Sequence, residues 1–332
     1  MFVRFFVVVV AVLGLAGSLQ AECVGADLRA GLTPDQSAAL RAQAEAVPYA
    51  RGILWQATKG NQVVTFVGTL HLPDPRHEAV LDRLQSAIGS AQTLLVEAGP
   101  EEEAALQSAM TTQPDMMFKT AGPTLPERLT EAEWLALSQA AEARGFPPFL
   151  AAKMQPWFLS MMLAFSPCVM QELQAGQLGL DKLVMQSALG AGVQVRALEP
   201  YDTLFHLFLD MTPEEELIAL RMSLVNAARG DDMTHTMVES YFDEDIQLIW
   251  ELGQYFGRLD AGAMFTEAEF DAMSAEAEEE LVLARNRAWI AVIEEAASEG
   301  PLVVAAGALH MPGEEGVLNL LAERGWEVRP LE

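Results

Sequence analysis

Cysteine is nearly absent. The 332-residue chain has two, Cys23 and Cys168, too few for a thiolate zinc site. Positive charge is also scarce: 20 Lys+Arg face 47 Asp+Glu, giving a net charge of −27 and a pI near 4.4. A surface this acidic repels phosphate backbones and anionic head groups, which excludes nucleic acid as a partner and reads as a solubility device. No H-E-x-x-H is present, so a zincin-type helix is excluded; no G-x-S-x-G or Gly-rich phosphate loop occurs either. Beyond the first 21 residues, no apolar run approaches the roughly 20 residues that a membrane span needs. With 51% hydrophobic residues, 24 Gly and 17 Pro, the composition is that of a folded chain, neither disordered nor collagen-like.

What is present begins with a leader. Arg4 precedes an apolar stretch from Phe5 to Gly17, and Leu19-Gln20-Ala21 puts a small residue before a cut between Ala21 and Glu22. Residues 1–21 are therefore expected to be a signal peptide, and the mature chain to be periplasmic or secreted, with no stable membrane span after cleavage. An uncleaved anchor is the alternative. Glu22 ahead of Cys23 argues against lipoprotein processing. In an oxidising compartment Cys23 and Cys168 are a natural disulfide pair; otherwise Cys168 is a buried thiol in the apolar run Met161 to Met170.

The patterning predicts an α/β fold. A helix is expected over Leu28 to Ala46, then strands Ile53 to Thr58 and Val63 to Val67 around the hairpin signal Lys59-Gly60-Asn61-Gln62. Next come a helix His77 to Gly89, with Val80, Leu81, Leu84 and Ile88 on one face, and a strand Thr93 to Val96. Further strands are expected at Val193 to Leu198, Leu302 to Ala306 and Trp326 to Arg329. A single domain over 22–332 is expected, its central sheet built from the N- and C-terminal halves with a long helical insertion, about 101–298, between them. Breaks in the helical part fall at Gly122-Pro123, Pro147-Pro148 and Ser166-Pro167.

An internal echo carries the chemistry. Val63 to Pro73 aligns without gaps to Leu302 to Pro312: both are buried-strand patterns running into G-x-L-H-x-P. The chain has five histidines, and two of them, His71 and His310, hold the same position of this unit. In open α/β sheets ligands bind outside the carboxyl ends of strands, where both rings would lie. Gly68 and Gly307 allow a sharp turn or close approach there. Two imidazoles, with Glu97 after a third strand, make a ligand set for a divalent ion that activates water and polarises a carbonyl. Glu97 serves as ligand or as general base, and spacing alone does not decide which. The bland alternative is that both histidines merely cap strand ends.

A helix Ala277 to Ala297 carries an apolar stripe of Leu281, Ala288, Trp289 and Val292, and Arg285 falls inside it. A guanidinium there needs a buried carboxylate partner or a cavity, where it would steady an oxyanion. Asn286 flanks the same face. Glu199, after a strand, either lines the site or is the acid at the start of a helix from Tyr201 to Leu209. His77, His206 and His235 carry little information. The acidic run Glu276 to Glu280 reads as a solvated helix start, not a calcium loop.

These residues together resemble the TraB/GumN family, which includes the Tiki-like proteins. The resemblance rests on Gly68-Thr69-Leu70-His71, Glu97, Met154-Gln155-Pro156-Trp157, Gly179-Leu180-Asp181, Leu198-Glu199-Pro200, Arg285-Asn286-Arg287-Ala288-Trp289 and Gly307-Ala308-Leu309-His310. It spans essentially the whole mature chain. Tiki-like members are regarded as metal-dependent proteases that use two G-x-x-H motifs and a glutamate. The resemblance thus implies His71, Glu97 and His310 as metal residues, with manganese or cobalt preferred and zinc as an alternative, and a peptide or protein substrate. Other members are named for pheromone shutdown or for neighbouring exopolysaccharide genes. Many relatives have threonine after the glutamate where this chain has Pro200, which weighs on Glu199 rather than on the triplet. A non-catalytic protein sequestering a peptide or a polysaccharide-export component is the competing reading.

Overall fold

Six strands form one sheet: β1 (Leu54–Lys59), β2 (Gln62–Thr69), β3 (Thr93–Val96), β4 (Gln194–Ala197), β5 (Leu302–Gly307) and β6 (Glu327–Pro330). The structure is a computed structural model, which describes residues 25–203, 211–262 and 264–331. The leader, its cleavage site, Cys23 and His206 lie outside the described residues. The sheet order is β4-β3-β5-β2-β1-β6. Strands β4, β3, β5 and β2 run parallel, whereas β1 is antiparallel to both β2 and β6. Lys59 pairs with Gln62, so Gly60-Asn61 is a two-residue turn, and Gly60 supplies its positive φ of 64°.

The chain's last parallel strand, β5, inserts between β2 and β3, the first two of that set. Both halves of the sequence therefore build the centre of the sheet. The inner parallel strands β3 and β5 are buried on both faces and read as continuous Val/Leu/Ala runs for that reason, whereas the edge strand β4 is only partly buried. One face packs Val67, Leu94, Val303 and Ala305 against the helices His77–Ser90 and Leu180–Gly190. The other packs Val64, Phe66, Val304 and Ala306 against Ala284–Glu299 and Val317–Glu323. Each fully buried Val, Leu, Ile or Phe contributes about 1.5–3 kcal/mol, so the sheet and its two helix layers form a rigid base.

The helical insertion has a core of its own, with Leu125, Leu137, Leu159 and Leu220 at its centre. Two of its three proline breaks fall at helix starts: Ser166 caps a helix opening at Pro167, and Pro148 opens another, while Pro123 precedes the cap residue Thr124. Proline suits the first turn because its missing N–H has no intrahelical partner there. Cys168 lies in the first turn of Pro167–Gln174. No helix among the described residues is long and apolar enough to cross a membrane.

Two expected helices differ. The one expected over Leu28 to Ala46 is a 3-10 turn, Leu28–Gly31, followed by Pro34–Ala44, because Thr33 and Gln36 form a capping box that starts a new helix. The helix expected over Ala277 to Ala297 is divided into Glu267–Glu278, a π-helical turn Glu279–Leu283, and Ala284–Glu299. The wider turn changes which side of the succeeding α-helix faces the core. Leu281 and Ala288 are exposed, and the buried face is Arg285, Asn286, Trp289, Ile290 and Ile293. The run Glu276 to Glu280 straddles that junction instead of opening a helix.

Candidate functional site

Four adjacent parallel strands each deliver one polar side chain past their carboxyl ends. In sheet order these are Glu199 after β4, Glu97 after β3, His310 after β5 and His71 after β2. The ladder continues beyond β4 through Leu198 N–H to Val96 O (2.7 Å), holding Glu199 beside Glu97. Gly307 N–H donates to Glu97 Oε1 (2.7 Å). A Cβ on Gly307 would lie 3.3 Å from Glu97 Oε1, 3.6 Å from His310 Cδ2 and 3.7 Å from His71 Nε2. The three side chains thus converge over a glycine backbone. At Gly68 a Cβ would stand 3.0 Å from Ala308 Cα, so glycine there lets the turn after β5 pass close by.

Arg285 is 8% exposed, and all five of its N–H donors are used. Nε meets both Glu199 oxygens (3.0 and 3.1 Å), and Nη2 reaches Glu199 Oε1 and Glu97 Oε2, each at 2.6 Å. Nη1 donates to Leu281 O (2.8 Å) and faces His310 Nε2 at 3.3 Å. The guanidinium therefore satisfies two carboxylates at once, and Trp289 Nε1 adds a bond to Glu199 Oε2 (2.9 Å). Glu199 is the partner of Arg285; most of the helix expected after it, residues 204–209, lies outside the described residues.

An arginine only donates, so His310 Nε2 must accept, and the ring proton is on Nδ1. That nitrogen donates to Asn286 Oδ1 (2.6 Å), whose own Nδ2 bonds Glu315 O (2.9 Å). Burial and then the Arg285 charge outweigh Glu97 and push the His310 pKa down to about 4, leaving the ring neutral. Burial opposes ionisation of Glu97, but the basic groups around it and the Gly307 N–H hold its pKa down at about 2. His71 behaves oppositely: burial works against its charge, yet Asp181 and Glu97 raise its pKa. Its side chain is 55% exposed, so the two histidines of the repeat occupy different settings.

A cavity of about 230 Å³ opens here, lined by His71, Glu97, Asp181, Glu199, Tyr201 and Arg285 among others. His310 does not line it; the ring is buried beside Trp289, centroid to centroid 4.4 Å. Three carboxylates, Glu97, Glu199 and Asp181, line the cavity with Arg285 and Lys182, and Lys182 is itself paired with Glu103. With His310 neutral, the four acids, Glu103 included, outnumber the cations even when His71 is protonated. Among the described residues no three His, Cys, Asp or Glu side chains are already closed into a metal-holding group. The reason is visible: His71 Nε2 is 3.9 Å from Glu97 Oε1, and Arg285 holds the facing atoms of Glu97 and His310.

Sequence reasoning passed over two residues of the site. Asp181 Oδ1 stands 3.1 Å from His71 Nδ1; its signal was the acid in the Gly179-Leu180-Asp181 motif. Thr69 is buried beside the cavity with no hydrogen bond to its hydroxyl; it holds the variable position of G-x-L-H, where the second copy has Ala308, so the motif did not single it out. His77 is structural, its Nε2 bonding Leu72 O (2.8 Å) in a fully buried setting.

Residues 53–330 match the model of the TraB/PrgY/gumN family. No curated protein matches the chain.

Proposed function

Because the chain belongs to the TraB/PrgY/gumN family, we propose that it is an exported, metal-dependent hydrolase acting on peptide or protein substrates in the periplasm or outside the cell. The observation that carries this reading is the convergence of two imidazoles and a carboxylate over Gly307, each ring having its Nδ1 beside a side-chain oxygen. That arrangement turns both Nε2 atoms toward the site, His71 Nε2 directly and His310 Nε2 once Arg285 Nη1 withdraws, which is how metal-binding histidines are usually supported. His71, His310 and Glu97 would hold the ion, with manganese, cobalt or zinc as candidates. The surplus negative charge suits a dication. Binding also asks Arg285 to release His310 and Glu97 and retain Glu199, which its Nε already contacts.

A divalent ion at this site supplies Lewis acidity and an activated water. Glu97, with a pKa near 2, is a weak proton acceptor, so the ligand role suits it better than the base role. Arg285 has no spare N–H; it stabilises developing negative charge by its field, or by a donor released from His310.

The test is metal analysis of protein purified without chelator, paired with cleavage of a peptide library. About one divalent ion per chain is expected, with both ion and cleavage lost in His71→Ala, His310→Ala. A chain without stoichiometric metal, or hydrolysis unchanged in that double variant under chelator, overturns the reading in favour of a sequestering protein.

A further inference from the structure

The turn carrying His71 and the start of the Leu180–Gly190 helix are fitted together at three consecutive residues. A Cβ on Gly179 would lie 2.4 Å from both C and O of His71 and 2.7 Å from its Cα. Gly179 has φ −73°, open to any residue, so it is space and not conformation that requires glycine. Leu180 N–H donates to Leu70 O (2.9 Å), fastening the helix to the turn. Asp181 then places Oδ1 3.1 Å from His71 Nδ1, near enough to accept from that ring nitrogen after a small rotation, and this buried oxygen takes no aligned hydrogen bond from any described residue, so the His71 ring is the donor it faces.

We propose that Asp181 is the positioning residue of His71. It holds the ring proton on Nδ1 and turns Nε2 toward Glu97, and Gly179 permits the approach that makes this contact. The need for such a device is specific to His71. Its ring is half exposed, and a free neutral imidazole prefers its proton on Nε2, the wrong nitrogen for a ligand. His310 is served by the same device in amide form, through Asn286 Oδ1 on the Ala284–Glu299 helix. Two rings from the two arms of the repeat, approached by unrelated helices, thus have the same nitrogen facing a side-chain oxygen. The consequence for metal rests on the proposed function; the tautomer is a property of the metal-free chain.

The test reads the ¹⁵N shifts of the His71 ring in the metal-free full chain at alkaline pH, assigned with His71→Gln. Wild type and Asp181→Asn are expected to show a protonated Nδ1 and a bare Nε2, since an amide oxygen still accepts. Asp181→Ala and Gly179→Ala are expected to shift the proton to Nε2. Manganese titration gives a second readout: Asp181→Ala should bind roughly 10–100-fold more weakly, with Asp181→Asn in between. A wild type with its proton on Nε2 overturns the assignment, even if Asp181→Ala does not fold. So does a folded Asp181→Ala that keeps the wild-type tautomer. If the tautomer responds as expected but wild type binds no metal, positioning stands and the hydrolase reading falls. If metal binds but the tautomer ignores Asp181, the reverse holds.

Discussion

Arg285 Nη2 and Glu97 Oε2 meet at 2.6 Å across 188 residues of sequence. The bond joins the Ala284–Glu299 helix to the end of β3, and Glu199 completes it from β4. Buried on one side and facing a cavity on the other, the guanidinium neutralises two carboxylates and covers two donors of the proposed metal site. Structural pairing and site chemistry are properties of the same residue.

Replacing Arg285 by Met therefore has two expected effects. Stability should fall by roughly 3–5 kcal/mol, the range for removing one partner of a buried ion pair and stranding its carboxylates. Arg285→Met, Glu199→Gln should recover part of that loss, because one stranded charge is gone. Urea denaturation of the metal-free proteins measures both. A single variant as stable as wild type would show the pair to be solvent-screened.

Within the site, His310 and Glu97 give the metal-free chain a pH dependence of the same sign, to which the buried His77, its pKa lowered by burial, adds. His310 has a folded pKa of about 4 against an ordinary value of 6.5, so between these values the unfolded chain binds the extra proton. Stability is then complete above 6.5 and falls as pH drops toward 4, by roughly 3 kcal/mol. Glu97, lowered from 4.5 to about 2, adds a further loss as pH falls through that window. His71 has the opposite sign: its raised pKa contributes below 6.5 and is lost as pH rises through its folded value. Denaturation midpoints from pH 3 to 8, with chelator, should decline on the acid side. His310→Gln should flatten the decline between pH 6.5 and 4; an unaltered slope would show that His310 is not the buried neutral group.

Much of this site was legible because it repeats. The G-x-L-H-x-P echo marks a strand end twice, and parallel sheets present strand ends along one edge, so His71, His310 and Glu97 needed only the strand order to meet. The sequence could not reveal that β5 would insert between β2 and β3, since nothing local encodes the choice of neighbour. The buried face around Arg285 was misjudged at Leu281 and Ala288 because helical periodicity assumes an uninterrupted α-helix, and the π turn Glu279–Leu283 breaks it. Asp181 was missed for a different reason. It lies in the first turn of a helix, where an acid is ordinary, and only the absence of a side chain at Gly179 reveals how near His71 it stands.

We propose that Cys23 and Cys168 are bridged in the exported chain. Cys168 is partly buried at the start of the Pro167–Gln174 helix; Cys23 lies outside the described residues. Protein recovered from an oxidising compartment should take up alkylating reagent only after reduction, as read by intact mass. Reduction should lower stability by roughly 3–5 kcal/mol, as for closure of a long loop. Two thiols that alkylate without reductant would remove the bridge.

The two glycines of the repeat offer the sharpest discrimination between fold and site. Gly307 has φ −48° and ψ 135°, open to alanine, so Gly307→Ala introduces no backbone strain. Its methyl would sit 3.3 Å from Glu97 Oε1 and within 3.7 Å of His71 Nε2, in the space where the three side chains converge. Gly68→Ala instead presses its methyl to 3.0 Å from Ala308 Cα, a backbone atom that moves only with the turn after β5. Gly307→Ala should thus change stability by less than about 1 kcal/mol while manganese affinity and hydrolysis fall at least about tenfold. Gly68→Ala should lose roughly 1–3 kcal/mol through overpacking, and its folded fraction should still bind metal. Thermal denaturation, metal titration and peptide cleavage on the same preparations separate the two. If Gly307→Ala binds metal and cleaves like wild type, then His71, Glu97 and His310 do not share a ligand, and their convergence is a feature of the sheet edge alone.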